Sequence, residues 1–517
     1  MKRSLFLAFG AFLALALLSG AQAQSTSGGS TDQAGIPSNP DSLFGPSTPA
    51  APEQATTPAQ PPAQPQGGMI QNVPQSQAEI APAAVTGLLQ SSSVQIGGYL
   101  FSDYTAFVTW ANEFPDLADL QAGSSNQLIP NLEGDLFFDA RPYTYFRVFG
   151  KFRAIYPFSS SQSVPETQST PLTSLYFPQG ATPAIPNISV FELYADVNYK
   201  DKVYFRVGQQ VVNWGVGYFF SPADVISLTT INPLQPTLER QGPVALKMNI
   251  PFADVDNFYL YVIANQSFAQ GGTFYLDDLA IAPKVEFVVG DYEIGVGGYY
   301  QKNQRPKAMV TATGSLFGKI GVFGEGVVSY GADRTFVEQG LTTVATSPVP
   351  LVVPYQSYTD TTNPYFSGTI GGSYLQPDWH FSIFAQYYYN GQGYPNATLE
   401  QGALTLYGAQ QLAIQQGLPA GTPLSVSDLV QPGRHYFAGA MSWTDIHSSG
   451  IDLALFYEGN LSDGSGVVSP SVACTPFQYF TLSLAPYVSY GAQHTEFVSL
   501  FGYLSLSLKL TVGEGAF

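Results

Sequence analysis

The chain has 517 residues, of which only 11% are charged and 14% aromatic. A charge fraction so low is unusual for a soluble protein of this length, yet past the N-terminus no apolar run approaches the ~20 residues that a membrane helix needs. The net charge of −18, from 37 acidic and 19 basic side chains, argues against a nucleic-acid partner. A single cysteine, Cys474, excludes an intramolecular disulfide and any multi-cysteine metal site. None of the histidines His380, His435, His447 and His494 stands at metal-ligand spacing from another, so no metal or other cofactor is expected.

In chain order, Lys2 and Arg3 precede the apolar run Leu5–Leu18 and then Ala21-Gln22-Ala23. That is the build of a cleavable signal peptide over residues 1–23, and no cysteine follows it to carry a lipid. Residues 24–93 are rich in Pro, Gln, Ser, Ala and Gly, with no Lys or Arg between Arg3 and Arg141. Such a stretch cannot bury enough apolar surface to offset its ordering entropy, so a disordered tail is expected. The short apolar piece Ala78–Leu89 reads as more of that tail, with docking against the folded part of the chain as the alternative.

From Val94 onward the dominant pattern has a period of two. It is clearest where Phe191, Leu193, Ala195, Val197 and Tyr199 alternate with Glu192, Tyr194, Asp196 and Asn198. After the turn Lys200-Asp201-Lys202, Val203, Phe205 and Val207 alternate with Tyr204, Arg206 and Gly208. Two alternating segments joined by a tight polar turn form an antiparallel hairpin. Similar runs follow to the C-terminus, joined by short connections such as Gly290-Asp291. Long ones intervene at Pro157–Pro186, Asn213–Gln241, Gly331–Pro364, Gly391–Arg434 and Asn460–Thr475.

Short turns on one rim and long loops on the other, between roughly ten-residue strands, are what a transmembrane antiparallel β-barrel requires. The runs number seventeen, whereas single-chain bacterial barrels have even counts, so one is misread; the stretch Ala308–Tyr330 is the suspected place. Residues 94–517 number 517 − 93 = 424. At ~26 residues per strand with its loop, that gives about 16 strands, within a range of about 14 to 18. The expected architecture is therefore a signal peptide, a disordered N-terminal tail over 24–93 and an all-β outer-membrane barrel over 94–517. Leu504, Leu506, Leu508, Leu510 and Val512 alternate with polar residues before the final Phe517, which resembles the C-terminal aromatic signal of bacterial outer-membrane proteins.

If the apolar set faces lipid, the alternate set faces the lumen. Inward-facing residues then include Glu133, Asp135 and Asp139 on one strand and Arg147, Lys151 and Arg153 on the next. Glu192 and Asp196, then Arg206, continue the series, a ladder of alternating sign across neighbouring strands. Two roles stay open for it: a selectivity wall for passing solutes, or a self-neutralising lining. Charge on the lipid face would cost about 2–4 kcal/mol near the midplane. The segment Leu399–Leu418 favours helix by its Ala, Leu and Gln content, and reads as a cap over the mouth or an inward-folded constriction.

The most distinctive motif joins Arg206, Gly208, Gln210, Trp214 and Gly215 to Ser221-Pro222-Ala223-Asp224, with Arg240 and Gly242 downstream. It resembles a poorly characterised class of porin-like outer-membrane barrels with an R-x-G-x-Q-x-x-x-W-G strand end followed by a Pro-Asp loop. The likeness covers roughly Tyr204 to Pro251 and implies passage, or export, of small solutes. Asp224 and Arg240 are candidates to pair and hold that loop over the lumen.

No G-x-S-x-G, H-E-x-x-H or paired-cysteine motif occurs, so no catalytic residue is assigned and an enzyme is not expected. The run Gly318–Gly326 has no following helix and no Gly-Lys-Ser/Thr ending, which leaves close strand packing as its use. The expected function is a porin-like channel. Its expected partners are outer-membrane lipid, small-molecule solutes and the assembly machinery of that membrane; a homotrimer is left open. Alternatives are a plugged surface barrel that binds through its loops, and a transporter of hydrophobic compounds.

Overall fold

The computed structural model describes residues 89–91, 94–110, 127–157 and 187–516, apart from 229, 238, 254, 265–275, 348 and 478. The signal peptide, almost all of the tail, the connection 158–186 and Phe517 lie outside the described residues.

Alternation of apolar and polar side chains produces one antiparallel sheet that closes on itself. The strands are β1 (Val94–Trp110), β2 (Gln127–Tyr143), β3 (Phe146–Pro157), β4 (Asn187–Tyr199), β5 (Val203–Gln209) and β6 (Val244–Phe252). They continue with β7 (Asp256–Ile263), β8 (Ala280–Val289), β9 (Tyr292–Gln301), β10 (Lys307–Leu316), β11 (Ile320–Tyr330) and β12 (Pro364–Gln376). The last six are β13 (Phe381–Tyr389), β14 (His435–Trp443), β15 (Ile451–Asn460), β16 (Ser465–Phe477), β17 (Phe480–Tyr490) and β18 (Leu504–Ala516). Each pairs with its sequence neighbours, and β1 pairs with both β2 and β18, from Tyr99 opposite Ala516 to Trp110 opposite Leu504. A short strand, Leu89–Ser91, folds back on Val94–Ile96.

Eighteen strands close the ring, the top of the expected range. The additional strand is β16, which lies across the expected long connection Asn460–Thr475. The suspected fault at Ala308–Tyr330 is not one, because β10 and β11 are two full strands in continuous register. Glu496–Phe501 is a short helix, α2, and β18 begins at Leu504. Arg141 and Pro142 lie within β2, and the β2–β3 turn falls at Thr144-Tyr145.

With an even number of strands, all the shortest turns lie on one rim together with the ends of the hoop. At the Lys200-Asp201 turn both residues adopt positive φ, of 56° and 55°, as a two-residue turn matched to the strand twist demands. Two long connections fold on the opposite rim. Residues 331–363 form a second hairpin, Thr335–Val344 with Leu351–Thr359. Residues 390–434 carry helix α1, Ala397–Gln415, capped where the Asn396 side chain accepts from Leu399 N–H at 3.1 Å.

The apolar core does not separate these parts. Phe336, Val337, Val344 and Val353 of the hairpin pack with Leu406 and Ala413 of α1, and with Phe384, Tyr436 and Phe456 of the barrel wall. Among the described residues no helix is long and apolar enough to cross a membrane.

Candidate functional site

The interior of the hoop is built from two contrasting arcs and a loop that spans them. On the arc β2–β5, charged side chains meet in register: Asp135 lies opposite Arg153, Arg147 opposite Asp196, and Asp196 opposite Arg206. Arg153 reaches Asp135 at 2.9 Å and Glu133 at 3.0 Å, and Lys151 reaches Asp135 at 3.1 Å. Arg147 bonds Asp139 at 2.9 Å and approaches Asp196 at 3.6 Å, while Arg206 bonds Asp196 at 2.6 Å. Arg141 adds a second cation to Asp139 at 2.8 Å. The aromatic rings interleaved on this face take up the cations as well. The Arg206 guanidinium lies 4.0 Å from the Tyr194 ring centroid and that of Arg153 lies 4.3 Å from Phe191. Glu192 accepts from Val211 N–H at 3.2 Å, where the chain leaves β5.

That departing chain, residues 210–243, carries no regular secondary structure among its described residues and crosses the interior. Its first part is held against one wall. Trp214 is buried, lies edge-on to Tyr261 of β7 and donates its indole N–H to the Met309 sulfur of β10. Lys284 of β8 donates to the Trp214 carbonyl at 3.0 Å and pairs with Glu286 at 2.7 Å. Val212, Ala223 and Ile226 complete an apolar cluster with Ala245, Ile263, Ala282 and Val327.

The tip is gripped from β11 and β13, with Thr369 of β12 bracing the β13 side chain. The Glu325 carboxylate accepts from Val216, Gly217 and Ala223 N–H at 2.5, 3.1 and 3.1 Å. The Gln386 amide oxygen accepts from Tyr218 and Phe219 N–H at 3.1 and 2.7 Å, and its NH₂ donates to the Phe220 carbonyl and to Thr369 Oγ1, both at 2.6 Å. Successive peptide N–H groups turned toward one acceptor make a compact anion cradle. Such a turn has no room for side chains at its inner corners. A Cβ on Gly217 would stand 1.8 Å from the Phe220 carbonyl oxygen, and one on Gly215 2.6 Å from the Glu325 carboxylate. Beyond the grip, Tyr218 stacks on Phe384 of β13 at 4.5 Å and Phe219 packs edge-on to Phe456 of β15 at 6.0 Å. Returning toward β6, the loop sends Glu239 to the charged arc, 2.6 Å from both Lys151 and Arg153. Arg240 bonds Asp224 at 2.7 Å, and Asp224 also accepts from Ser227 Oγ.

A third group of polar side chains joins α1 and α2 to the wall. The Asn460 amide, at the end of β15, donates to Glu400 of α1 and to Glu496 of α2, each at 2.9 Å. Tyr436 Oη–H donates to Glu496 at 2.8 Å. Burial, together with the neighbouring carboxyls, pushes the Glu400 carboxyl up to about 9 and that of Glu496 up to about 8. Arg334, at the base of the hairpin, donates to the carbonyls of Gln392, Val430, Gln431 and Pro432 and fastens the 390–434 loop to it.

The structure thus gathers the expected charges into two sets of ion pairs, Glu133, Asp135, Lys151 and Arg153 with Glu239, and Asp139, Arg147, Asp196 and Arg206 with Arg141. Glu192 stands beside them, and Trp214, Asp224 and Arg240 sit in the spanning loop. Sequence reasoning missed Glu239, Glu325, Gln386, Glu400, Asn460 and Glu496. Glu325 had a legible signal, a lone carboxylate on the same strand face as Phe323 and Val327; the others had none. Among the described residues no group of three or more His, Cys, Asp or Glu is arranged to hold a metal ion.

No protein-family model matches the chain, and no curated protein matches it. Solved structures similar in outline share little sequence with it. "Crystal structure of Acinetobacter baumannii OccAB4" has 9% identity and a TM-score of 0.45, covering 83% of this chain and 99% of that one. "Crystal Structure of Pseudomonas aeruginosa OccK8 (OprE)" has 10% identity and a TM-score of 0.43, covering 82% and 98%. "Salmonella typhi OmpF complex with Daunomycin" has 9% identity and a TM-score of 0.39, covering 83% and 99%.

Proposed function

We propose that the protein is a porin-like channel of the bacterial outer membrane through which small polar solutes diffuse. In this reading loop 210–243 narrows the lumen, and the charged arc β2–β5 with Glu239 forms its polar wall. The observation that carries the reading is the inverted polarity of the closed hoop. Its interior holds ion pairs, whereas Leu136, Val207, Val296, Val310, Ile370 and Leu508 are exposed on the outside.

Exposed aromatic side chains border that aliphatic band on both rims. Tyr145, Tyr199, Phe317, Trp379 and Phe477 lie at the short turns, and Tyr300, Tyr330, Phe366 and Tyr490 lie toward the loop end. On β9, Tyr292 and Tyr300 are eight steps apart. That is about 27 Å along the strand at ~3.4 Å per residue, or about 20 Å across a membrane at a ~40° tilt. Two aromatic girdles around a band of that height suit a bilayer, and short turns then face the periplasm.

Conductance of the refolded full chain in planar bilayers tests the channel; a bilayer that stays sealed at every voltage refutes it. A second reading, a plugged surface barrel that binds through its loops, is supported by Leu341, Val349 and Val352, which the extra hairpin region exposes to solvent. Deleting residues 331–364 would then abolish attachment while leaving the barrel folded. Attachment that survives the deletion removes that reading.

A further inference from the structure

Where helix α1 meets the wall, its first turn is not held by apolar contact alone. Glu400, 4% exposed, presents one carboxyl oxygen to the Asn460 amide and leaves the other, Oε1, with no hydrogen-bond partner. The same Asn460 side chain bonds Glu496 of α2, so one amide sits between two buried carboxyls that approach from different connections. Two residues earlier on the same strand face, Glu458 is 0% exposed with both carboxyl oxygens unpartnered. The charged groups facing the pair are Asp463, whose carboxylate accepts from Glu496 N–H, then Glu458 and Arg334. Arg334 is the sole cation among them and is already committed to four backbone carbonyls. A buried carboxyl without a counter-ion or a full set of donors is stable only while it holds a proton. Among the described residues no metal-ligating arrangement stands here to substitute for one.

We propose that Glu400, Asn460 and Glu496 form a proton-operated latch that holds helix α1 and its loop on the inner wall, and that losing the protons releases them. The proton is the ligand of this site, and the consequence for solute passage rests on the channel reading above. The direction follows from the displaced carboxyls. Docked, Glu400 and Glu496 hold their protons up to about 9 and about 8. Undocked and hydrated, they titrate near the ordinary value of about 4.3. Docking therefore takes up as many as two protons, is fully favoured below the ordinary carboxylate range, and weakens as pH rises toward the docked values. Between roughly pH 5 and pH 8 the undocking equilibrium rises by up to about 100-fold per pH unit, and it levels off above about pH 9.

The test is backbone hydrogen exchange of residues 397–415 in the refolded full chain at about pH 6 and about pH 9.5, corrected for intrinsic exchange chemistry. Protection of α1 should fall by roughly 100-fold or more between the two. In the variant carrying both Glu400→Gln and Glu496→Gln, which keeps the Asn460 contacts without an ionisable group, protection should stay at its low-pH level. Each single variant should show about half the wild-type change on a logarithmic scale. Equal wild-type protection at both pH values overturns the latch, as does an unaltered pH response in the double variant. Conductance recorded on the same samples separates the two claims. A roof that loosens with pH in a protein that never conducts leaves the latch standing and removes the channel. Conduction in a protein whose α1 protection ignores pH does the reverse.

Discussion

The grip of Glu325 on the spanning loop can be broken by a single substitution. Glu325→Ala removes the acceptor shared by Val216, Gly217 and Ala223 N–H, all of which lie inside the barrel. A buried donor left unsatisfied costs about 1–3 kcal/mol, so three of them cost roughly 3–9 kcal/mol before any relaxation. Water entering the space left by the carboxylate recovers part of this, which leaves about 3–4 kcal/mol. That shifts the loop toward its detached state by on the order of 10²- to 10³-fold. Glu325→Gln retains an acceptor oxygen for part of the set but turns an NH₂ toward the rest, and should cost about 1–2 kcal/mol. Hydrogen exchange resolved to residues 216–223 reads the loop directly, and single-channel conductance reads its consequence. The expected order of loop protection is wild type, then Glu325→Gln, then Glu325→Ala, with conductance rising in the same order. Protection in Glu325→Ala within threefold of wild type would show that the aromatic packing of Tyr218 and Phe219 alone seats the loop, and the reasoning from the carboxylate would fall.

Other consequences are as specific. Asp224→Ala and Arg240→Ala in a double-mutant cycle should show a coupling of about 1–3 kcal/mol, measured on the same loop protection, because the pair is largely shielded from water; strict additivity would remove it as a loop fastener. Arg153→Met leaves Asp135, Glu133 and Glu239 without their shared cation. It should destabilise the fold by about 3–5 kcal/mol in denaturant titrations and shift reversal potentials toward cations; an unchanged potential would mean that solutes do not pass this arc. A variant in which Trp379 and Trp443 are the remaining tryptophans should be quenched by lipids brominated near the headgroup more strongly than by lipids brominated at the chain ends. The opposite ranking would displace the short-turn girdle from the interface.

Strand identity was legible wherever apolar and polar residues alternated without interruption, as in β4, β5 and β9. The strand that escaped, β16, contains Pro470 and Pro476, and a proline inside a run argues against a strand. The structure shows how Pro470 is tolerated. The β16–β17 register skips from Val468 opposite Val488 to Val472 opposite Leu484, so Pro470 faces Pro486 in a gap where neither has an N–H to give. The inward charges of β2–β5 were readable because a two-residue period fixes which side each residue takes. Their companion Glu239 was not, since it lies 86 and 88 positions from its partners in a loop with no period. The lone Glu325 on an otherwise apolar strand face was legible, but its partners in the loop tip, like those of Gln386, lie 102 to 168 positions away, which no local pattern gives. The helix α1 followed from composition, but its seat on an extra hairpin did not, because residues 331–363 carry long-connection signals and strand signals together.

A ring of hydrogen-bonded strands resists stretching far better than it resists flattening into an oval. Here residues 210–243 touch the hoop at β6–β11 through Trp214 and Ile226, at β13–β15 through the aromatic tip, and at β3 through Glu239. Three attachments spread around a circumference turn the loop into a spoke, so squeezing the hoop along any one diameter has to break salt bridges, strip an acceptor from peptide groups or open an aromatic stack. The protein's cross-section is in this way braced from inside, and any lateral load on the hoop is carried by a segment whose described residues form no regular secondary structure.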